Sequence, residues 1–268
     1  MATFVPPLDV TELEEAFRSL RGIEIINIVK SGGQGVVAKV ILQGCLAALK
    51  VFTPESQARG SREIELLGSL KTSSIVPLVD FGDIHLRGQK CRFVITKFVE
   101  GIDLRSLLQN GGTLDEPECK QFLREVADAL LELWKMRIVH RDIKPDNIIR
   151  GVDGRFILVD LGIAKGLDMP TITQLWVGTP GYMSPEQAMG KRNLTVKADI
   201  FSLGVTAYEL LTRAHPFCSS QEGIMNGCVP NRPEDIVCCS TLLSDVIMWM
   251  LSSSPLGRPM PAEIIERL

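Results

Sequence analysis

The 268-residue sequence has no apolar run of the roughly 18 residues needed to span a bilayer. Its acidic beginning, Met1 to Glu15, lacks the apolar stretch of a secretory signal peptide. Neither sign of charge dominates, since 29 Lys and Arg face 32 Asp and Glu, for a net charge of −3. That balance offers no electrostatic case for binding nucleic acid or an acidic membrane surface. We therefore expect a cytoplasmic chain without a membrane segment or nucleic-acid partner. Seven cysteines occur (Cys45, Cys91, Cys119, Cys218, Cys228, Cys238 and Cys239), yet none forms a C-x-x-C pair. The odd number and the missing metal spacing argue against a disulfide framework or zinc site, and for free, buried thiols in a reducing compartment. In that setting the glycosylation acceptor Asn193-Leu194-Thr195 reads as a chance match. There is no internal repeat and no low-complexity linker.

What is present is an apolar fraction of 45 %, enough to build a core. Asp9 and Glu12 form a capping-box pattern that opens a helix from Val10 to about Leu20. The β-branched and apolar runs Ile23–Val29, Val36–Leu42 and Cys45–Val51 read as strands, broken by Ser31-Gly32-Gly33 and Gln43-Gly44. Arg62–Leu70 carries Ile64, Leu66, Leu67 and Leu70 at helical spacing. Strands follow near Val76–Phe81 and Cys91–Val99. Beyond Gly101 the period becomes helical. Asp115 to Glu118 caps a helix whose stripe is Phe122, Val126, Ala129, Leu130 and Leu133. A loop and short strand fill Ile138–Arg150, another strand Phe156–Val159, and helices Val196–Thr212 and Ser240–Leu251. The expected class is α+β, with a small N-terminal sheet lobe (about 1–99) and a larger helical lobe (about 101–268).

The strongest motif is His140-Arg141-Asp142-Ile143-Lys144-Pro145-Asp146-Asn147. Five positions match H-R-D-x-K-x-x-N, a coincidence of about three in ten million per random start. Asp142 can accept the proton of an attacking hydroxyl, Asn147 can offer an oxygen to Mg²⁺, and Lys144 can neutralise charge on a transferred phosphoryl group. Thirteen residues on, Val159-Asp160-Leu161-Gly162 sets an Asp at a strand end before a tight turn.

With these two segments the sequence resembles the protein-kinase family over about Ile23 to Leu268. The resemblance implies one bilobal catalytic domain over residues 1–268 that uses ATP and Mg²⁺, with Asp160 as a second metal ligand beside Asn147. Ala47-Ala48-Leu49-Lys50 resembles the third-strand V-A-I-K motif, which assigns Lys50 to the α- and β-phosphates. Glu63 is its expected helical partner, with Glu65 as the rival. The loop from Lys30 to Val37 is not a G-x-G-x-x-G. Gly32 and Gly35 take the second and third glycine positions, and Lys30 replaces the first. By resemblance Gly32, Gly33, Gly35, Val37 and Ala48 contact the nucleotide, the backbones of Lys97 and Val99 meet the adenine edge, Thr96 is the small residue guarding the pocket behind the adenine, and Asp103 meets the ribose.

Gly178 to Glu186, reading GTPGYMSPE, resembles the end of an activation segment, with Ser184 where A-P-E has Ala. By the same resemblance Glu186 pairs with Arg258, and Asp199 braces the catalytic loop. Lys144 and Thr179 point to protein Ser/Thr hydroxyls as acceptors, and the wording is similar to bacterial, eukaryotic-like (Hanks-type) Ser/Thr kinases. Autophosphorylation is expected at Thr171 or Thr173, read by Arg141 and Lys165, with self-association as the implied route. Two other readings stand beside this one: a pseudokinase that binds nucleotide or partners, and a small-molecule kinase of related fold. The motif residues are all retained against the first. Lys144-Pro145 and the Gly178–Glu186 segment speak against the second.

Overall fold

The computed structural model describes residues 4, 7–18, 20, 22–32, 35–161 and 178–268, and the backbone alone of Lys165 and Gly166. Gly33, Gly162, Thr171 and Thr173 lie outside these residues. The chain folds as two compact units. The first comprises Met1–Leu70 and Val76–Val99, and the second Lys71–Ile75 and Glu100–Leu268.

In the first unit, helix α1 (Val10–Phe17) starts at the Asp9/Glu12 capping box. Strands β1 (Ile23–Gly32), β2 (Gly35–Leu42) and β3 (Cys45–Phe52), helix α2 (Gln57–Ser69), and strands β4 (Leu78–Leu86) and β5 (Gln89–Lys97) follow. The strands form an antiparallel sheet in the order β1-β2-β3-β5-β4. Gln43-Gly44 makes the β2–β3 turn with both residues at positive φ, a hairpin geometry that matches strand twist. Strand period sorts the faces. Val36, Ala38 and Val40 of β2, Ala47, Leu49 and Val51 of β3, and Cys91, Phe93 and Ile95 of β5 share one core with Leu13 and Phe17 of α1. The Phe17 and Phe93 rings meet edge to face at 5.0 Å. Val37, Ala48, Lys50 and Thr96 alternate with these residues and so belong to the opposite face.

Two strand ends and one helix stripe are among the differences from the sequence reading. Strand β1 runs on to Gly32, because Lys30, Ser31 and Gly32 pair with Val37, Val36 and Gly35. Strand β4 reaches Leu86 through polar Asp83 and His85, because the tight turn at Arg87-Gly88 sets the β4–β5 register. The buried stripe of α2 is Gly60, Glu63, Leu66 and Leu67. It passes through Glu63 rather than Ile64, since Gly60 packs so closely on the Phe52 ring that a Cβ there would lie 2.6 Å from it.

In the second unit, β6 (Gly101–Asp103), β8 (Ile148–Gly151) and β9 (Phe156–Leu158) form one small sheet, and β7 (Ile138–Val139) pairs with β10 (Lys165–Gly166). The helices are α3 (Leu104–Gln109), α4 (Glu116–Lys135), α5 (Pro185–Ala188), α6 (Val196–Thr212), α7 (Gln221–Met225), α8 (Thr241–Met250) and α9 (Pro261–Arg267). Helix α6 is buried on nearly every side, as its apolar composition requires. Helix α4 starts at a second capping box and buries the expected stripe together with Cys119, Leu123 and Ala127. Arg258, 1 % exposed, binds Glu186 through two nitrogens at 2.7 and 3.0 Å and stands over the Phe201 ring. No helix among the described residues is long and apolar enough to cross a membrane. All seven cysteines are free. The expectation of burial holds for Cys91 and Cys119, whereas Cys45, Cys218, Cys228 and Cys238 are exposed because they sit in or beside turns.

Candidate active site

Each unit carries its own group of the residues that the sequence singles out. In the first, β3 presents Lys50 on the face opposite the α1 core. Glu63 lies on the buried stripe of α2 and Glu65 on its exposed side. Lys50 Nζ accordingly meets Glu63 Oε2 at 2.8 Å, with Glu63 only 3 % exposed. Of the glycines, Gly35 is demanded by the fold. Its φ is 151°, and a Cβ there would lie 2.0 Å from the Val51 carbonyl. At Gly32 a Cβ would meet nothing within 4 Å, so the fold itself does not require glycine there. The Lys97 amide donates to the Pro77 carbonyl at 3.0 Å, and Lys97 stands opposite Ala47 at the end of the β3–β5 ladder. Val99 is the last residue of this unit.

In the second unit the β8–β9 hairpin fixes the catalytic loop. Val159 N–H donates to the Asn147 carbonyl at 3.0 Å, continuing the ladder in which Ile148 faces Leu158. Asn147 and Asp160 therefore come to the same end of one hairpin. Asn147 Nδ2 donates to the Asp142 carbonyl at 2.9 Å and to Asp142 Oδ2 at 3.2 Å. Thr179 Oγ1 donates to Asp142 Oδ1 at 2.7 Å. Lys144 Nζ lies 2.9 Å from Asp142 Oδ2 and donates to Thr179 Oγ1 at 2.5 Å. Asp142, Lys144, Asn147 and Thr179 thus form one hydrogen-bonded group around a half-buried carboxylate.

That group stands on a buried polar base. Asp199, 1 % exposed, accepts from the amides of His140 at 2.8 Å and Arg141 at 2.7 Å. Burial pushes the Asp199 carboxyl up, opposed by His140 and by these two amides. The Arg141 backbone has φ 72°, and its carbonyl accepts from Gln187 Nε2 at 2.7 Å. The Arg141 side chain is buried, 9 % exposed. His140 Nδ1 accepts from the Asp142 amide at 3.2 Å, so Nε2 carries the proton and donates to the Asp160 carbonyl at 2.6 Å. One imidazole thereby ties the base-bearing loop to the strand end that carries Asp160. Sequence reasoning missed the roles of His140 and Gln187 because both act on backbone atoms. Asp103, expected near a ribose, caps α3: its two carboxylate oxygens accept from the Ser106 amide at 2.8 Å and the Ser106 hydroxyl at 2.7 Å. Lys165 is described in backbone only, so its side chain, like Thr171 and Thr173, lies outside the account.

The geometry suits removal of a proton from a hydroxyl beside a lysine able to balance negative charge. For a metal, the donors at the hairpin end are the Asp160 carboxylate and Asn147 Oδ1, the amide oxygen left over once Nδ2 binds Asp142. Both are hard oxygens of the kind Mg²⁺ takes, one or two from protein and the rest from phosphate and water. Among the described residues no group of three His, Cys, Asp or Glu could hold a metal by itself. The residues present fit such a shared ion.

Comparison with known proteins agrees with this chemistry. The chain is 34 % identical over 208 residues to serine/threonine-protein kinase PknE of Mycobacterium bovis, covering 74 % of this chain and 36 % of that protein. It is 34 % identical over 204 residues to serine/threonine-protein kinase PknD of Mycobacterium tuberculosis, covering 72 % and 30 %. It is 32 % identical over 269 residues to serine/threonine-protein kinase cds1 of Schizosaccharomyces pombe, covering 91 % and 57 %. The match thus spans about a third to just over half the length of these relatives. The protein kinase domain family matches residues 23–267. A match of that extent, over the same residues that build the Asp142 group, means that this chain belongs to the protein kinase family.

Proposed function

We propose that the protein transfers the γ-phosphoryl group of ATP to Ser or Thr hydroxyls of protein substrates. The observation that carries this reading is the convergence of Lys144, Asn147 and Thr179 on the Asp142 carboxylate. In this reading Asp142 receives the proton as the substrate oxygen bonds to the γ-phosphorus and the bond from that phosphorus to ADP breaks. Lys144 offsets the negative charge on the phosphoryl oxygens. Asn147 and Asp160 would hold Mg²⁺, which when bound neutralises charge on the phosphates. Lys50, oriented by Glu63, is assigned to the α- and β-phosphates. Gly32, Gly33, Gly35, Val37 and Ala48 and the backbones of Lys97 and Val99 are assigned to the nucleotide, and Asp103 to its ribose, where its capping oxygens would be shared. Serine/threonine preference is supported by the Lys144–Thr179 bond and by the names of the relatives. The domain is residues 1–268, working in the cytoplasm.

We further assign autophosphorylation to Thr171 or Thr173, reached through self-association and read by Arg141. A phosphothreonine adds about −1.5 to −2 charge and three acceptor oxygens that a guanidinium can grip. The deciding experiment is phosphate transfer from labelled ATP to a generic protein substrate, with Asp142→Asn beside wild type and phosphosites mapped on the chain itself. Asn at 142 should retain ATP binding and lose roughly 10²–10⁴-fold in kcat. Nucleotide binding without transfer by the wild type would instead identify a pseudokinase.

A further inference from the structure

Outside the group around Asp142, the described residues of the second unit include a closed polar cluster centred on Arg105. Arg105, on the first turn of α3, uses three different nitrogens on three partners. Nε binds Asp146 Oδ2 at 3.2 Å, Nη1 binds Glu209 Oε1 at 3.3 Å, and Nη2 donates to the Tyr182 hydroxyl at 2.5 Å. The Tyr182 hydroxyl in turn donates to Glu209 Oε2, closing a ring. Burial and the Glu209 carboxylate push the Tyr182 hydroxyl up, so it stays a donor across the physiological range. The Tyr182 ring also lies under the guanidinium and meets His215 edge to face at 5.6 Å.

The partners matter for where they sit. Asp146 is the residue before Asn147, in the turn Pro145–Asn147, and Asn147 binds Asp142 Oδ2. Tyr182 closes the turn that begins at Thr179, its amide donating to the Thr179 carbonyl at 3.1 Å, and Thr179 binds Asp142 Oδ1. Glu209 belongs to α6, whose Asp199 holds the loop from below. Each oxygen of the Asp142 carboxylate is therefore held by a residue that adjoins a partner of the same guanidinium: Asn147 follows Asp146, and Thr179 accepts from the Tyr182 amide. A planar fork with donors in fixed directions can serve three acceptors at once, whereas an ammonium is a single point of charge.

We propose that Arg105 is a positioning residue for phosphoryl transfer: it couples the Pro145–Asn147 turn to the Thr179–Tyr182 turn, so that Asp142 is gripped from both sides together. The catalytic half of this inference rests on the phosphoryl-transfer reading above, and the structural half does not.

The test uses the full chain with Arg105→Gln and Arg105→Lys. Amide hydrogen exchange should rise together, by about tenfold or more, in residues 144–148 and 178–183, while α4 stays protected. ATP affinity should be unchanged and kcat should fall roughly 10- to 100-fold, because a small misplacement of a reacting group is enough. Lysine should not restore kcat, although it restores the charge. If the glutamine variant fails to fold, Tyr182→Phe and Asp146→Ala each cut one arm, and each should loosen both turns. Loosening confined to the arm that was cut, or kcat within about twofold of wild type for Arg105→Gln, overturns the proposal. A wild type that transfers no phosphate defeats the phosphoryl-transfer reading, and the exchange data then still decide whether Arg105 couples the two turns.

Discussion

Thr179 donates its hydroxyl to Asp142 Oδ1 at 2.7 Å while accepting from Lys144 at 2.5 Å, so a single oxygen sets the spacing between the expected base and the expected charge-balancing lysine. Without it, Asp142 and Lys144 would keep their direct 2.9 Å contact but lose the third point that fixes its direction. Thr179→Val keeps the volume and removes the hydroxyl. We expect kcat to fall roughly 10²-fold with ATP affinity and thermal stability little changed, since the lost interaction orients a reacting group. Thr179→Ser restores the oxygen and should recover most of the rate. A valine variant within about threefold of wild type in steady-state kinetics would show that the hydroxyl is incidental.

Glu116 and Ser240 give a pH-dependent prediction away from the site. Glu116 opens α4, and its carboxylate accepts from the Ser240 amide at 2.7 Å and hydroxyl at 2.5 Å, where Ser240 caps α8; Lys120 Nζ stands 2.6 Å away. The Lys120 ammonium first, then Ser240, holds this carboxyl down at about 2, against an ordinary 4.5. A carboxyl depressed in the folded state stabilises the fold above its unfolded value, and that contribution is lost as pH falls from 4.5 towards 2. Glu116→Gln should therefore cost about 1 kcal/mol at pH 7, with the gap to wild type closing as pH approaches 2. Urea unfolding of both proteins at several pH values measures this. A gap that is constant with pH would assign the effect to packing.

The parts of the fold and site most legible in the sequence were those whose cause is local. Helix α6 appears at Val196–Thr212 as read, because Thr195 caps it and its composition demands burial on all sides. The group from Asp142 to Asn147 could be read because its chemistry sits within a few positions and needs particular residue types. Helices α3, α7 and α9 went unread, being too short, at six, five and seven residues, to display a period. The Arg105 cluster was equally hidden. Its members lie 41, 77 and 104 positions from Arg105, and although Asp146 and Tyr182 sit inside the two motif segments, nothing local ties either of them to Arg105 or to Glu209. In α2 the spacing of Ile64, Leu66, Leu67 and Leu70 marks the helix, while Glu63, expected to meet Lys50, takes the buried position that hydrophobicity alone would give to Ile64.

That pairing supports an unequal set of outcomes. Glu63 is 3 % exposed and the Lys50 side chain 14 %, so the carboxylate depends more on the pair than the ammonium does. Lys50→Met removes the ammonium facing a buried carboxylate and should cost about 3–5 kcal/mol of stability as well as nearly all activity. Glu63→Gln leaves a polar amide beside a lysine that still reaches water. It should cost less stability, about 1–2 kcal/mol, and should reduce activity by loosening Lys50 without removing it. The double variant Lys50→Met/Glu63→Leu replaces the pair with apolar side chains against Phe52, which already lies 5.0 Å from Lys50 Nζ. Its stability should return close to wild type, as buried pairs exchanged whole for apolar groups usually do. Its activity should not return, because no cation is left for the phosphates. Unfolding midpoints and transfer rates measured on the four proteins separate the two roles. A double variant as unstable as Lys50→Met would mean that the pair holds the β3–α2 packing together, and an active one would remove Lys50 from the chemistry.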